Sequence, residues 1–291
     1  MKPAPFDYHR PSSLDEAVDV LAVSEGKVLA GGQSLVPIMS MRLAAPSALV
    51  DINHIAGLDT IEVGDAGVRI GALTRHSALE HDQAAFAANP LLRRTVSHVA
   101  HPTIRNRGTT VGSLVHADPA AEMPAVLSLL GGRVEAMSRD RGTRRIDAKD
   151  FFVGPLESAL QPDEIAVAAY FPNPNSGTGS AWVELARRHG DYAIVGVGAL
   201  VEVDSERRVT VASVALISVG LTPVVVDLSE ACAQTSYDEQ AWDGAIELVS
   251  QAIEPEADIH ASADYRAHLA CVLTRRALIK AAIDAVDQEA A

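Results

Sequence analysis

Apolar residues recur at helical spacing in "SSLDEAVDVLAV", residues 12–23, where Leu14, Ala17, Val18 and Leu21 share one face behind two capping serines, so the segment reads as an amphipathic helix. "KVLAGG" is a short strand ending in glycines, "SLVPIMSMRL" a second short helix, and the apolar run of "SALVDINHI" a strand buried on both faces. From Ile61 the period changes to two in "IEVGDAGVRIGALT", a hairpin around Gly64, Asp65 and Gly67. "HSALEHDQAAFAANPLLRRTVSHVA" then reads as helix, interrupted near Asn89 and Pro90. The apolar "PAVLSLLGG" is another helix, with Pro124 tolerated in its first turn and Gly131 or Gly132 as its stop, and three strands follow in "RVEAMS", "TRRIDA" and "EIAVAAYF".

"PNPNSGTGS", residues 172–180, is the strongest break in the pattern and marks a domain boundary, giving an N-terminal domain over 1–175 and a C-terminal one over 176–291. Beyond it run two alternating strands, "YAIVGVGALVEVD" and "RVTVASVALISV". Two helical segments follow, "YDEQAWDGAIELVSQAI" and "ADYRAHLACVLTRRALIKAAIDAV". Strands followed by helices predict an α+β domain, an antiparallel sheet covered on one side.

Composition narrows the function classes. The 48% hydrophobic content supplies more than one core, while a formal net charge of −14 opposes binding to nucleic acid or anionic membrane. No run of about 18 apolar residues crosses a bilayer. The first residues lack the apolar stretch of a signal peptide, so the chain reads as cytoplasmic. Cys232 and Cys271 are too few to hold a zinc or an iron-sulfur cluster and read as buried structural thiols.

Several active-site patterns fail on their spacing. Ser113, His116 and Asp118 lie too close in sequence for a nucleophile, base and orienting acid, and no G-x-S-x-G elbow occurs. "GVGALV" lacks the third glycine of a dinucleotide fingerprint, and no Gly-Lys-Ser/Thr loop exists. The pairs His98/His101 and His76/His81 lack companion ligands. Two glycine-rich turns remain, "AGGQSL" (residues 30–35) and "RGTTVGSL" (residues 107–114). Such turns aim successive backbone N–H groups into one concavity and bind phosphate oxygens without lysine, although either could equally be only a tight turn.

Three ordered blocks, "LAGGQSLVPIMSMRLAAPSALVDI", "IRNRGTTVGSLVHADPAAEMPAVL" and "ARRHGDYAIVGVGALVEV", resemble the FAD-binding medium subunit of the molybdenum hydroxylases, the carbon monoxide dehydrogenase and xanthine dehydrogenase group. "ADYRAHLACVLTRRAL" resembles that family's C-terminal helix, so the likeness runs from about Phe6 to Leu278. It implies a two-lobed FAD domain of the vanillyl-alcohol-oxidase (PCMH) type, with lobes of about 1–56 and 57–175, followed by a smaller α+β domain.

By motif, the resemblance places non-covalent FAD on a first pyrophosphate loop of Ala30, Gly31, Gly32, Gln33, Ser34 and Leu35 and a second of Thr109, Thr110, Val111, Gly112 and Ser113. Glu122, Tyr192 beside the flavin ring, and Ile165 are carried over with them, and Asp118 fixes its turn by accepting backbone N–H groups. Val111 stands where relatives place the first of the two adjacent glycines of G-T-I-G-G-S, so the backbone there is either ordinary α or β, or the nest is shifted. Gly32→Val is expected to lose FAD by crowding the phosphates.

The implied activity is that of an oxidoreductase subunit with no catalytic residue of its own. It takes electrons from an iron-sulfur small subunit, fed by a molybdopterin-bearing large subunit, and passes them to an external acceptor. A dimer of heterotrimers is the family expectation. The rival readings are a stand-alone flavin oxidoreductase and an assembly subunit with a decayed FAD site.

Overall fold

The computed structural model describes residues 2–233, 235–236 and 242–289. The first lobe comprises β1 (Asp7–His9), α1 (Leu14–Ser24), β2 (Lys27–Leu29), α2 (Leu35–Ser40) and β3 (Ala48–Asp51). Its strands form a parallel sheet in the order β1-β3-β2. Helix α1 starts where the Ser13 hydroxyl accepts the Glu16 amide and stops at Glu25, which turns left-handed at φ 48°.

The second lobe runs β4 (Ile61–Gly64), β5 (Gly67–Gly71), α3 (His76–His81), α4 (Gln83–Ala88), α5 (Pro90–Val96), α6 (Pro102–Arg105), α7 (Thr110–His116) and α8 (Glu122–Leu129). It continues through β6 (Arg133–Ser138), β7 (Gly142–Asp147), α9 (Ala148–Phe151), β8 (Phe152–Gly154), β9 (Glu157–Ser158) and β10 (Glu164–Pro172). An antiparallel sheet of order β4-β5-β10-β6-β7 carries the lobe, with β8 and β9 paired apart. Strand β10 is buried on both faces: Ile165 and Val167 join α1 and β3 in the core between the lobes, while Ala166, Ala169 and Phe171 face the helices of the second lobe. A β-bulge between Ala166 and Ala168 makes the switch of face possible.

Past Pro172 the chain enters another sheet, β11 (Gly179–Ala186), β12 (Ala193–Val203), β13 (Val209–Ile217) and β14 (Val224–Asp227), antiparallel in that order. The helices α10 (Ser229–Cys232), α11 (Asp243–Ala252) and α12 (Ala263–Glu289) follow. Alternation, interrupted by an irregularity where Leu185 and Ala186 face Val195 and Ala193, splits this sheet's side chains. Val195, Val197, Val214 and Leu216 pack under α12, whereas Trp182, Ala193, Ala215 and Ile217 belong to the core built around α8. The sheet is therefore covered on both faces, not on one as its order of elements predicts, because its second face docks on the helices of the second lobe.

Other differences have local causes. The long helical run after His76 is three helices, broken where Asp82 caps α4 by accepting the Ala85 amide and where Pro90 opens α5. Strands β11 and β14 escape the pattern reading because β11 begins inside the Pro/Asn/Gly-rich break and β14 has four residues. Of the helical segment read from Tyr237 to Ile253, residues 237–241 lie outside the described residues, and helix is present from Asp243. Cys232 is fully buried and its thiol is pushed up to about 11 by burial, but Cys271 on α12 is only half-buried. Arg94 ties the domains together: it donates to Asp284 of α12 at 2.6 and 2.7 Å and to the Ser180 hydroxyl at 2.9 Å.

Candidate functional site

The two glycine-bearing segments meet. A Cβ on Gly31 would lie 2.6 Å from the Arg107 carbonyl oxygen, 2.8 Å from Gly108 Cα and 3.0 Å from the Thr109 nitrogen, so the first turn rests directly on the backbone that precedes α7. Among the described residues, the amides of Gly31, Gly32, Gln33, Ser34 and Leu35 donate to no protein acceptor, and Ser34 makes no side-chain cap bond to α2. A run of unpaired, half-buried amides is a nest for anionic oxygen. Gly32 supplies the left-handed backbone the turn requires, at φ 71°. A Cβ there would meet only the tips of Leu29 and Val36 at 3.1 and 3.3 Å, so its conformation, more than phosphate crowding, demands glycine.

The second segment is not a glycine nest. Thr109 caps α7 by accepting the Gly112 amide at 3.1 Å, and Thr110, Val111 and Ser113 are helical. Val111 is buried in the second lobe's core beside Leu114, which is why valine replaces glycine without penalty at an ordinary α backbone. Its Thr110 hydroxyl lies 3.4 Å from His76 Nδ1, and burial, aided by Arg105, pulls that imidazole down to about 4, so it packs neutral under Gly108. Ser113 and His116 form no hydroxyl–imidazole hydrogen bond among the described residues, and Asp118 stands 3.9 Å from His116 Nε2.

A polar clamp that no motif announces holds the two segments together. The Asn53 amide donates to the Ala30 carbonyl at 2.8 Å and to Asp51 at 2.7 Å. Arg75 donates to Asn53 Oδ1 at 2.7 Å and to the Arg107 carbonyl, spanning both segments with one guanidinium. Burial alone would raise the Asp51 carboxyl, but hydrogen bonds from Tyr8 and Asn53 hold it below the usual range. Ile165 sits below, 1% exposed, in the apolar cluster on which Ala30 packs.

The far end of the site is acidic. Asp118 accepts the Ala120 amide at 2.8 Å, the turn-fixing bond expected of it, and brings Glu122 to the first position of α8. Glu122 is 7% exposed with no cation beside it among the described residues; burial first, then the charges of Glu184 and Asp118, push its carboxyl up to about 8. Glu184 on β11 is pushed up to about 7 by burial, against the indole N–H of Trp182 at 3.1 Å. Tyr192 stands 69% exposed at the same end, its hydroxyl raised by partial burial and by Asp118 and Glu122. Asn53, Arg75 and Glu184 carry no recognisable spacing and are found only through contacts.

A buried acid whose pKa rises from 4.5 to about 8 makes stability fall with pH. Below about pH 4.5 both states hold the proton, between there and pH 8 only the unfolded chain releases it, and above pH 8 the full cost is present. Glu122→Gln is therefore expected to stabilise the cofactor-free protein by about 2 kcal/mol at pH 9 relative to pH 4, well under the full shift because solvent and neighbouring Glu184 share the charge. Urea melts at the two pH values check this; equal effects at both would exclude it.

A family model described as "FAD binding domain in molybdopterin dehydrogenase" matches residues 4–174, and one for the "CO dehydrogenase flavoprotein C-terminal domain" matches 180–281. The chain belongs to the FAD-binding medium subunits of the molybdenum hydroxylases. It is 39% identical to the 6-hydroxypseudooxynicotine dehydrogenase complex subunit alpha of Paenarthrobacter nicotinovorans, over 97% of this chain and 96% of that protein. It is 36% identical to the carbon monoxide dehydrogenase medium chain of Afipia carboxidovorans, over 97% and 98%. A solved chain of reconstituted CO dehydrogenase from Oligotropha carboxidovorans superposes with a TM-score of 0.92 at 35% identity, covering 98% of this chain and all of that one. This medium subunit is thus an oxidoreductase flavoprotein with FAD as its own cofactor. Among the described residues no helix is long and apolar enough to cross a membrane.

Proposed function

We propose that this chain is the electron-transfer subunit of a molybdenum-containing hydroxylase or dehydrogenase, drawing electrons from iron-sulfur clusters on a small subunit served by a molybdopterin-bearing large subunit, and delivering them to an external acceptor. The observation that carries this reading is the seating of Gly31 on the Arg107–Thr109 backbone beside five amides with no protein acceptor. That is a cradle a side chain would fill and an anion would complete. Ala30 to Leu35 would hold the pyrophosphate with Thr109 to Ser113, and Asp118, Glu122 and Tyr192 would flank the ring. FAD, when bound, supplies redox chemistry that no side chain here can perform. The chain's own share is to bind it, orient it and limit water.

We divide the chain at about residue 175, a choice supported by the change of sheet between Pro172 and Gly179. The names of the relatives, a subunit alpha and a medium chain, support association with further subunits, taken as a dimer of heterotrimers. The purified protein should show flavin absorbance near about 450 nm that is released on denaturation, or take up one FAD per chain when supplied with it. A folded protein that neither contains nor takes up FAD would refute the reading.

A further inference from the structure

Ser218, the residue after β13, has φ 64° although it is not glycine. A non-glycine residue held left-handed needs surroundings that over-determine it, and Ser218 has them. Its amide donates to the Pro119 carbonyl at 2.9 Å, in the turn between Asp118 and Glu122. Its hydroxyl donates at 2.8 Å to the carbonyl of Ala193, the residue that follows Tyr192. Its own carbonyl accepts from Arg266 of α12 at 3.3 Å. One residue therefore joins the acidic turn of the FAD domain to the tyrosine of the C-terminal domain.

Arg266 fixes this junction from behind. Its guanidinium, 6% exposed, also donates to the Ile194 carbonyl at 2.7 Å and pairs with Asp258 at 2.7 Å. Asp258 is itself anchored by the amides of His260 and Ala261 at 2.8 and 3.0 Å, and the Glu254 amide bonds the Val219 carbonyl at 2.9 Å. Arg266 Nε has no partner among the described residues. A buried ion pair with one unmatched donor is a poor way to gain stability, since an apolar side chain of similar volume often serves as well. Its rigid fork does define directions, and two of its bonds run to the backbone carbonyls of Ile194, two residues after Tyr192, and of Ser218, whose amide bonds the Pro119 turn.

We infer that Ser218 and Arg266 are positioning residues that set Tyr192 against the Asp118–Glu122 turn, so that the ring end of the FAD site is assembled across the domain boundary. Tyr192 is largely exposed, and its place is governed by the backbone bond at Ala193 more than by packing. The inference rests on the flavoprotein reading above.

The test uses the full chain loaded with FAD, comparing wild type with Ser218→Gly, Ser218→Ala, Arg266→Met and Tyr192→Ala. Residual flavin fluorescence, the visible circular dichroism of the flavin, the FAD dissociation constant and Tm are read for each. Ser218→Gly removes the hydroxyl but relieves the left-handed backbone, so a purely structural role predicts an unchanged or higher Tm with wild-type flavin signals. The positioning role predicts that Ser218→Gly and Ser218→Ala shift both optical signals toward those of Tyr192→Ala and weaken FAD by about tenfold, one lost neutral hydrogen bond's worth. Arg266→Met should do the same. Wild-type optical signals and affinity in folded Ser218→Gly would overturn the inference while leaving FAD binding intact. A wild-type chain that takes up no FAD would overturn both.

Discussion

Gly31→Ala is expected to weaken FAD binding by about 100-fold or more while leaving the protein folded, because two lost or misdirected backbone bonds to phosphate are worth about 3 kcal/mol. The three atoms its methyl would strike are the Arg107 oxygen, Gly108 Cα and the Thr109 nitrogen, at 2.6, 2.8 and 3.0 Å. All belong to backbone, so no rotamer change relieves the contact. The two segments must separate, carrying the unpaired amides of residues 31–35 away from α7. The Asn53–Arg75 clamp opposes that separation, since its bonds to the Ala30 and Arg107 carbonyls would both stretch. Gly32→Ala should cost less, about tenfold, because it meets only flexible side-chain tips and adds the left-handed penalty of roughly 1 to 2 kcal/mol. Fluorescence titration of FAD into flavin-free protein orders the two. A Gly31→Ala protein that binds within threefold of wild type would remove the first turn from the cofactor site.

The contrast between these glycines shows which parts of the site could be read from the chain. The first turn was legible because its glycines follow a strand and precede a helix, and both serve close approach or positive φ. The second was legible only as a choice between ordinary α or β backbone and a shifted nest. "GTTVGS" looks like a nest, but Thr109 is a helix cap and Val111 a core residue, and the valine that departs from the family pattern is what an ordinary α backbone allows. Asp118 was legible as a turn-fixing acid because its bond is local, two residues away. Asn53 and Arg75 were not, since they act on carbonyls 23 and 32 residues distant and any side chain of the right length could have done so. Glu184 and Ser218 were hidden for another reason. Glu184 lies on a strand of the sheet whose second face docks on α8 and Ser218 directly follows another, and alternation cannot tell a face that meets a helix of the same domain from one that meets its neighbour. The domain-spanning end of the site was therefore the part least visible beforehand.

On the opposite face of the C-terminal sheet, one glycine is seated directly against the backbone of α12. Gly179→Ala is expected to destabilise the protein by about 3 kcal/mol, at the upper end for an overpacked core, and to lower Tm by roughly 5 to 10 °C. Gly179 opens β11 opposite Val201, and a Cβ there would fall 1.9 Å from the Ala281 oxygen and 2.3 Å from the Ala285 nitrogen of α12. The helix comes this close because Ala281, Ala282 and Ala285 are all small and fully buried at the contact. To accept a methyl, α12 must retreat by more than an ångström. That strips contact from its neighbours and strains the next residue, where the Ser180 amide bonds Asp284 at 2.9 Å and Arg94 joins both. Dispersion falls steeply with separation, so a small retreat is felt along the whole seat. Its reach toward the cofactor is limited, because Arg266 lies about four turns away along the same helix. Differential scanning calorimetry with FAD titration below the melting point separates the two consequences: a lowered Tm with nearly unchanged FAD affinity. A Tm within about 1 °C of wild type would mean that α12 is not seated on Gly179, and an equal loss of Tm and FAD affinity would mean that the helix transmits its shift to the Ser218 junction after all.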